Sequence, residues 1–105
     1  MNWIILLAAG AVEILMTLAL KYAQGWTRPW PSGLGIAAAL LSIFLLTYAL
    51  RELPVGTAYA IWTGIGAVGI AVLGIVLFGE SAAPLRLLCI GVIVCGIVGL
   101  RVIEN

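Results

Sequence analysis

The chain has 105 residues, 65% of them hydrophobic and 9% charged, with a mean hydropathy of +1.28 and a formal net charge of +1. So few polar residues cannot cover the surface of a small soluble domain, and the composition is that of an integral membrane protein. There is no histidine, and the near-zero net charge gives no electrostatic basis for nucleic-acid binding. Histidine-dependent chemistry and a polyanionic partner are therefore excluded.

A membrane helix needs about 20 apolar residues to cross the ~30 Å hydrocarbon core. Four segments meet this: 3–21, 32–50, 57–78 and 85–103. Their apolar runs are continuous instead of alternating, which predicts helices and not a barrel. The fold expected is all-α, one domain over 1–105, with no soluble catalytic or regulatory part and three further spans after the first, unlike a cleaved signal peptide.

The first span, "WIILLAAGAVEILMTLAL", holds Glu13 near its middle. Of the other acids, Glu52 and Glu80 fall in connections and Glu104 in the tail, where water reaches them. An ionised carboxylate at the centre of a helix costs at least about 2.5–3.5 kcal/mol on insertion scales. Glu13 must therefore be protonated, paired or open to an aqueous cavity, and it is the one side chain at membrane depth suited to proton exchange. A cation competing with protons for this acid would provide coupled exchange; the alternative is a carboxyl that only bonds helices together. Helical spacing places Ala9, Gly10, Met16 and Thr17 on its face, the small residues leaving room for a substrate or a neighbouring helix.

The first connection, "QGWTRPWPS", contains Gly25, Pro29 and Pro31 as turn formers, and Trp26 and Trp30 as headgroup-level anchors. Ser32 is the expected start of the second helix. In that helix Ser42 lies near mid-depth, with a hydroxyl that can reach the carboxylate or back-bond to its own helix. The next connection, "RELPVGT", offers Thr57 as an N-cap.

The third span opens "GTAYAIWTGIGAVG". Tyr59, Trp62 and Gly66 share a face, with Thr63 adjoining. Aromatic rings beside a carboxylate suit an organic cation, and both side chains carry donors for Glu13. Gly64, Gly66 and Gly69 lower the rigidity of the helix and permit a bend. "GIGAVG" lacks the lysine of a phosphate loop, and nucleotide binding drops out.

Ser81 is a candidate cap before Pro84 and the fourth span. Cys89 and Cys95, six apart on that helix, point to different faces and cannot bridge within it; no metal-ligand spacing occurs and no cofactor is implied. Gly91, Cys95 and Gly99 recur every four residues, with Gly96 beside them, a small-residue pattern that lets helices approach in lipid. The short connections predict that consecutive helices are antiparallel neighbours. With four spans, Arg51 and Arg101 share one side with both termini, and Lys21, Arg28 and Arg86 the other. This near balance fixes no orientation. It allows opposite insertions and an inverted pair, in which two Glu13 residues would share one site.

The segments "AGAVEILMTLALKYAQGWTRPWPS" and "LPVGTAYAIWTGIGAVG", with "FGES" and "GIVGLRV" near the end, resemble the small multidrug resistance family of proton-coupled exporters. The resemblance covers the whole chain. It implies a bacterial inner-membrane antiporter, not an enzyme, working as an antiparallel dual-topology homodimer or with a homologous chain. It implies that Glu13 binds proton and cation, that Ser42, Tyr59 and Trp62 are its partners, that the third-helix glycines bend during alternating access, and that Gly96 lies in a fourth-helix dimer contact. The third-span motif is most similar to the guanidinium exporter subtype. That subtype has tryptophan where this chain has Met16, a departure that leaves export of hydrophobic quaternary ammonium cations as the alternative, and a non-transporting membrane subunit as a third.

Overall fold

Four α-helices make up the computed structural model, which describes residues 2–103: α1 Asn2–Tyr22, α2 Pro29–Ala49, α3 Val55–Phe78 and α4 Pro84–Ile103. Glu104, expected in a solvated tail, lies outside the described residues. All four helices are long and apolar enough to cross a membrane.

The starts of α2, α3 and α4 are set by proline instead of by side-chain caps. Arg28 is extended (φ −106°) ahead of Pro29, as a residue before proline prefers to be. Pro29 then opens α2 where a missing N–H costs nothing. Ser32 lies inside the first turn, its hydroxyl donating to the Arg28 carbonyl at 2.6 Å. Likewise α3 begins at Val55 behind Pro54, and the Thr57 expected as a cap is buried within the helix. The Ser81 hydroxyl accepts from the Ala83 N–H at 3.1 Å, an ST-turn leading into Pro84 instead of a cap on α4. At the end of α3, Gly79 adopts φ +65°, and its N–H and that of Glu80 both reach the Gly74 carbonyl. Such a left-handed residue is the usual helix stop.

The helices lie side by side in the order α2, α1, α3, α4, in a slab of 42 × 35 × 17 Å. Consecutive helices were expected to be neighbours throughout, yet α2 barely touches α3, because α1 lies between them. The core is correspondingly small: Leu6, Ala9, Leu46, Ala49, Ala58 and Ile61. No residue of α4 is buried.

The termini of the slab sort as the four-span topology requires. At one end Asn2 donates to Glu52 at 2.5 Å and the Arg101 guanidinium lies 4.5 Å over the Trp3 ring. At the other, Lys21 sits 5.5 Å over Phe78, and Arg86 pairs with Glu80 at 2.8 Å. Glu52 and Glu80 are thus exposed, as expected of loop acids, but each is engaged by a neighbour. Trp26 and Trp30 are exposed, as membrane-interface anchors should be.

Close approach of α1 and α3 depends on missing side chains. A Cβ at Gly10 would stand 2.6 Å from Ile65 Cγ2, and one at Gly69 would collide with Ile14 Cδ1. Gly33, on α2, has nothing within 4 Å of that position. Gly10→Ala is therefore expected to destabilise the fold by about 1–3 kcal/mol through overpacking, and Gly33→Ala to be neutral or stabilising. Denaturation of the detergent-solubilised protein, followed by circular dichroism, measures both. Equal responses would show that the α1–α3 contact does not depend on Gly10.

Candidate functional site

Glu13 lies on α1 and faces α3. Its carboxyl rests against the α3 backbone at Gly66: a Cβ on Gly66 would come within 2.8 Å of Oε2 and 2.9 Å of Cδ. Oε2 is buried and has no hydrogen-bond partner among the described residues. A buried carboxyl oxygen without a donor is costly in the ionised state and much less so when protonated.

Next to it runs a polar chain across three helices. The Trp62 indole Nε1 donates to Ser42 Oγ at 2.9 Å, and Ser42 Oγ donates to the Ala9 carbonyl at 2.7 Å. Ser42 is 1% exposed, the most enclosed polar side chain described. The sequence pointed to Ser42 and Trp62 as donors to Glu13. Instead they bond to each other and to the backbone one turn ahead of the acid. The reason is geometric. With α1 between α2 and α3, a hydroxyl from α2 meets the flank of α1 at Ala9, where no side chain blocks the carbonyl.

Tyr59 packs on Trp62, with ring centroids 5.7 Å apart at 52°, and over half of its surface is exposed. The aromatic pair is thus assembled one to two turns along α3 from Gly66, with the tyrosine on the open side. Thr17 and Thr63 are turned away from the carboxyl: Thr17 Oγ1 donates to the Glu13 main-chain carbonyl at 3.0 Å and Thr63 Oγ1 to that of Tyr59 at 2.8 Å. Both satisfy themselves on their own helix. Met16 is half-buried. Ala9 and Gly10 are buried against neighbouring helices, so the small residues beside the acid serve helix approach and not an open cavity.

The α3 glycines divide by neighbour. Gly66 meets Glu13, Gly69 meets Ile14 of α1, and Gly64 faces Ile97 and Ile93 of α4. The helix itself runs unbroken from Val55 to Phe78. On α4, Gly91, Cys95 and Gly96 are exposed and Gly99 is half-buried, and no atom lies within 4 Å of a Cβ at any of the three glycines. Both cysteines are free.

Two participants escaped sequence reasoning: the Ala9 carbonyl as the end of the polar chain, and Gly66 as the surface on which the carboxyl lies. A main-chain acceptor leaves no mark in a side-chain pattern. Gly66 was legible as sharing a face with Tyr59 and Trp62, but not as the surface under the carboxyl, since its register against Glu13 depends on how far α3 slides along α1.

Comparison with known proteins bears directly on this arrangement. The profile of the Small Multidrug Resistance protein family matches residues 1–93. A guanidinium exporter of Citrobacter freundii is 58% identical over 101 residues, covering 96% of each chain. Guanidinium exporters of Salmonella typhimurium strain LT2 and of Yersinia pseudotuberculosis are 57% and 54% identical over the same length, with 96% of this chain covered in both cases. Likeness of this degree over almost the whole length, in a chain of four membrane-crossing helices, is decisive, and the protein belongs to the small multidrug resistance family.

Proposed function

We propose that the protein is a proton-coupled antiporter of the bacterial inner membrane that exports guanidinium and related guanidinyl cations. The observation that carries this reading is the buried, donorless Oε2 of Glu13, in a chain whose relatives are named guanidinium exporters. A guanidinium ion brings a positive charge and a planar set of N–H donors, and it pairs with a carboxylate through two parallel hydrogen bonds. It supplies what the carboxyl lacks.

Exchange follows from single occupancy. The carboxyl holds a proton or a cation. A cation entering from the cytoplasm displaces the proton, and a proton arriving from outside displaces the cation. The Trp62–Ser42 chain holds α2 and α3 to α1 around the acid, and Tyr59 offers an aromatic face to the guest. Gly64, Gly66 and Gly69 are where α3 bends between inward- and outward-open states. Gly10, Met16, Thr17 and Thr63 border the site.

The working unit is an antiparallel homodimer in which both Glu13 residues contribute to one site. A slab one helix thick leaves α4 without a buried residue, and Gly91, Cys95, Gly96 and Gly99 give it a surface for a second α4. Two carboxyls close together titrate as a coupled pair. Pairing with a homologous chain is the alternative assembly.

A second reading is export of hydrophobic quaternary ammonium cations, favoured by Met16. A flexible thioether adapts to varied apolar surfaces and donates no hydrogen bond. Such a guest has no N–H for Oε2 and would rely on charge and aromatic contact alone.

In proteoliposomes, a proton gradient is expected to drive guanidinium uptake, and Glu13→Gln to abolish it. Persistence of coupled uptake in that variant would refute exchange at this carboxyl, and absence of uptake in the unaltered protein would favour the non-transporting subunit. Transport-associated currents are expected with guanidinium and to be weak or absent with a tetraalkylammonium ion; a response to the latter alone reverses the order of the two readings. On assembly, Gly96→Leu fills open space within the chain, so the helical signal should persist while cross-linking of pairs in membranes falls. Undiminished pairing would place the contact elsewhere.

A further inference from the structure

We propose that Gly66 is a positioning residue for transport: its bare backbone is a seat that holds the Glu13 carboxyl in the proton-loaded state, and the cation draws the carboxyl out of that seat. The inference rests on the proton–cation exchange at Glu13 proposed above and adds the place where the proton-bearing form is kept.

Three atoms define the seat. Oε2, Cδ and Oε1 of Glu13 would lie 2.8, 2.9 and 3.3 Å from a Cβ on Gly66. Any residue but glycine there would fill the space the carboxyl occupies. Gly66 is itself buried, and Oε2 in the seat is buried and has no donor within reach among the described residues.

The surroundings offer the ionised form no relief. On α2 the titratable group is Tyr48, at the far end of the helix, and Ser42 is committed to Ala9. On α3 it is Tyr59, exposed and stacked on Trp62. On α1 itself Lys21 and Tyr22 lie two turns beyond Glu13 and both pack against Phe78. No cation among these faces the carboxyl. A seat with no counter-charge and no donor accepts the neutral acid in preference to the anion. Binding a cation therefore requires the carboxyl to lose its proton and leave Gly66, and reseating requires a proton.

A methyl group at position 66 evicts the carboxyl from the seat toward the exposed side of Glu13, which is only half-buried. The protonated form loses its preferred place while the cation-bound form does not. The sign follows: in Gly66→Ala, protons compete less well, and cation binding survives to lower pH than in the unaltered protein.

The test is guanidinium binding to the purified, reconstituted full chain over a pH series, read by calorimetry or tryptophan fluorescence. The unaltered protein should lose binding as pH falls. Gly66→Ala should move the half-loss point down by about one pH unit, a tenfold change in effective proton affinity. Gly35→Ala is the packing control, because its Cβ would crowd Leu20 at the α1–α2 contact and not the carboxyl; its half-loss point should stay in place. A uniform weakening in Gly66→Ala without a pH shift, or an equal shift in both variants, overturns the seat while leaving the exchange reading intact. Binding to the unaltered protein that is indifferent to pH overturns the exchange reading itself. Should Gly66→Ala fail to fold, Glu13→Asp decides, since its carboxyl is withdrawn by about 1.5 Å. Its half-loss point should fall by clearly more than the ~0.4-unit intrinsic difference between the two acids, and a shift no larger than that overturns the proposal.

Discussion

The contact on which this molecule turns is that of one carboxyl group with one bare turn of helix. Glu13 sits at membrane depth, where an isolated charge is too costly to leave uncompensated, and it lies on α3 at Gly66 with an oxygen that nothing bonds. That contact is reachable only because α1 and α3 run close together, which in turn needs Gly10 and Gly69 to lack side chains. The glycines that look like flexibility in the sequence are first of all the means of approach.

The placement of α1 explains much of the rest. It keeps the contact between α2 and α3 small, so the long Trp62 indole of α3 reaches Ser42 of α2, and Ser42 in turn bonds the Ala9 carbonyl of α1; the Trp62–Ser42–Ala9 chain is the stitch that joins all three. A buried chain in which every donor has an acceptor stiffens its surroundings. The same placement leaves α4 at the edge of a single layer, attached to α3 and to little else. In water such a layer would expose far too much apolar surface. In a bilayer lipid covers it, and a second copy can replace lipid wherever small residues permit closer packing.

Most of the architecture was legible because its causes are local or compositional. Length and hydropathy fixed the four spans to within three residues at either end, and Pro29, Pro54 and Pro84 mark where the helices begin. The caps expected at Thr57 and Ser81, and the helix start expected at Ser32, were misplaced because a proline sets its own backbone angle and needs no side-chain cap. Glu13 was legible as the candidate site because a lone acid in an apolar run has few roles open to it. What could not be read was pairing between helices. Ser42 was found, but its acceptor was not, because a main-chain carbonyl becomes available only through the lateral order of the helices. The division of labour among Gly64, Gly66 and Gly69 depends on a register that hydrophobic periodicity does not encode when every face of a helix is apolar.

The contrast between the two polar features bears on selectivity. The Trp62–Ser42–Ala9 chain is complete without a guest; the Glu13 carboxyl is not. A site that leaves an acceptor orphaned discriminates for ligands that carry a donor, and hydrogen bonds to a charged group contribute about 1.5–3 kcal/mol each. Two such bonds from a planar guanidinium would outweigh the apolar contact that Met16 offers to a methyl group or two, at roughly 0.8 kcal/mol for each buried carbon. As alkyl groups accumulate on the guest, the balance narrows and then reverses, since apolar gain grows with each carbon while the hydrogen bonds are lost only once. On the proposed reading, Met16 would widen the range upward in size without removing the preference at the small, polar end. Specificity in the proposed exporter is then a competition between an oxygen that needs a donor and a thioether that accepts any shape.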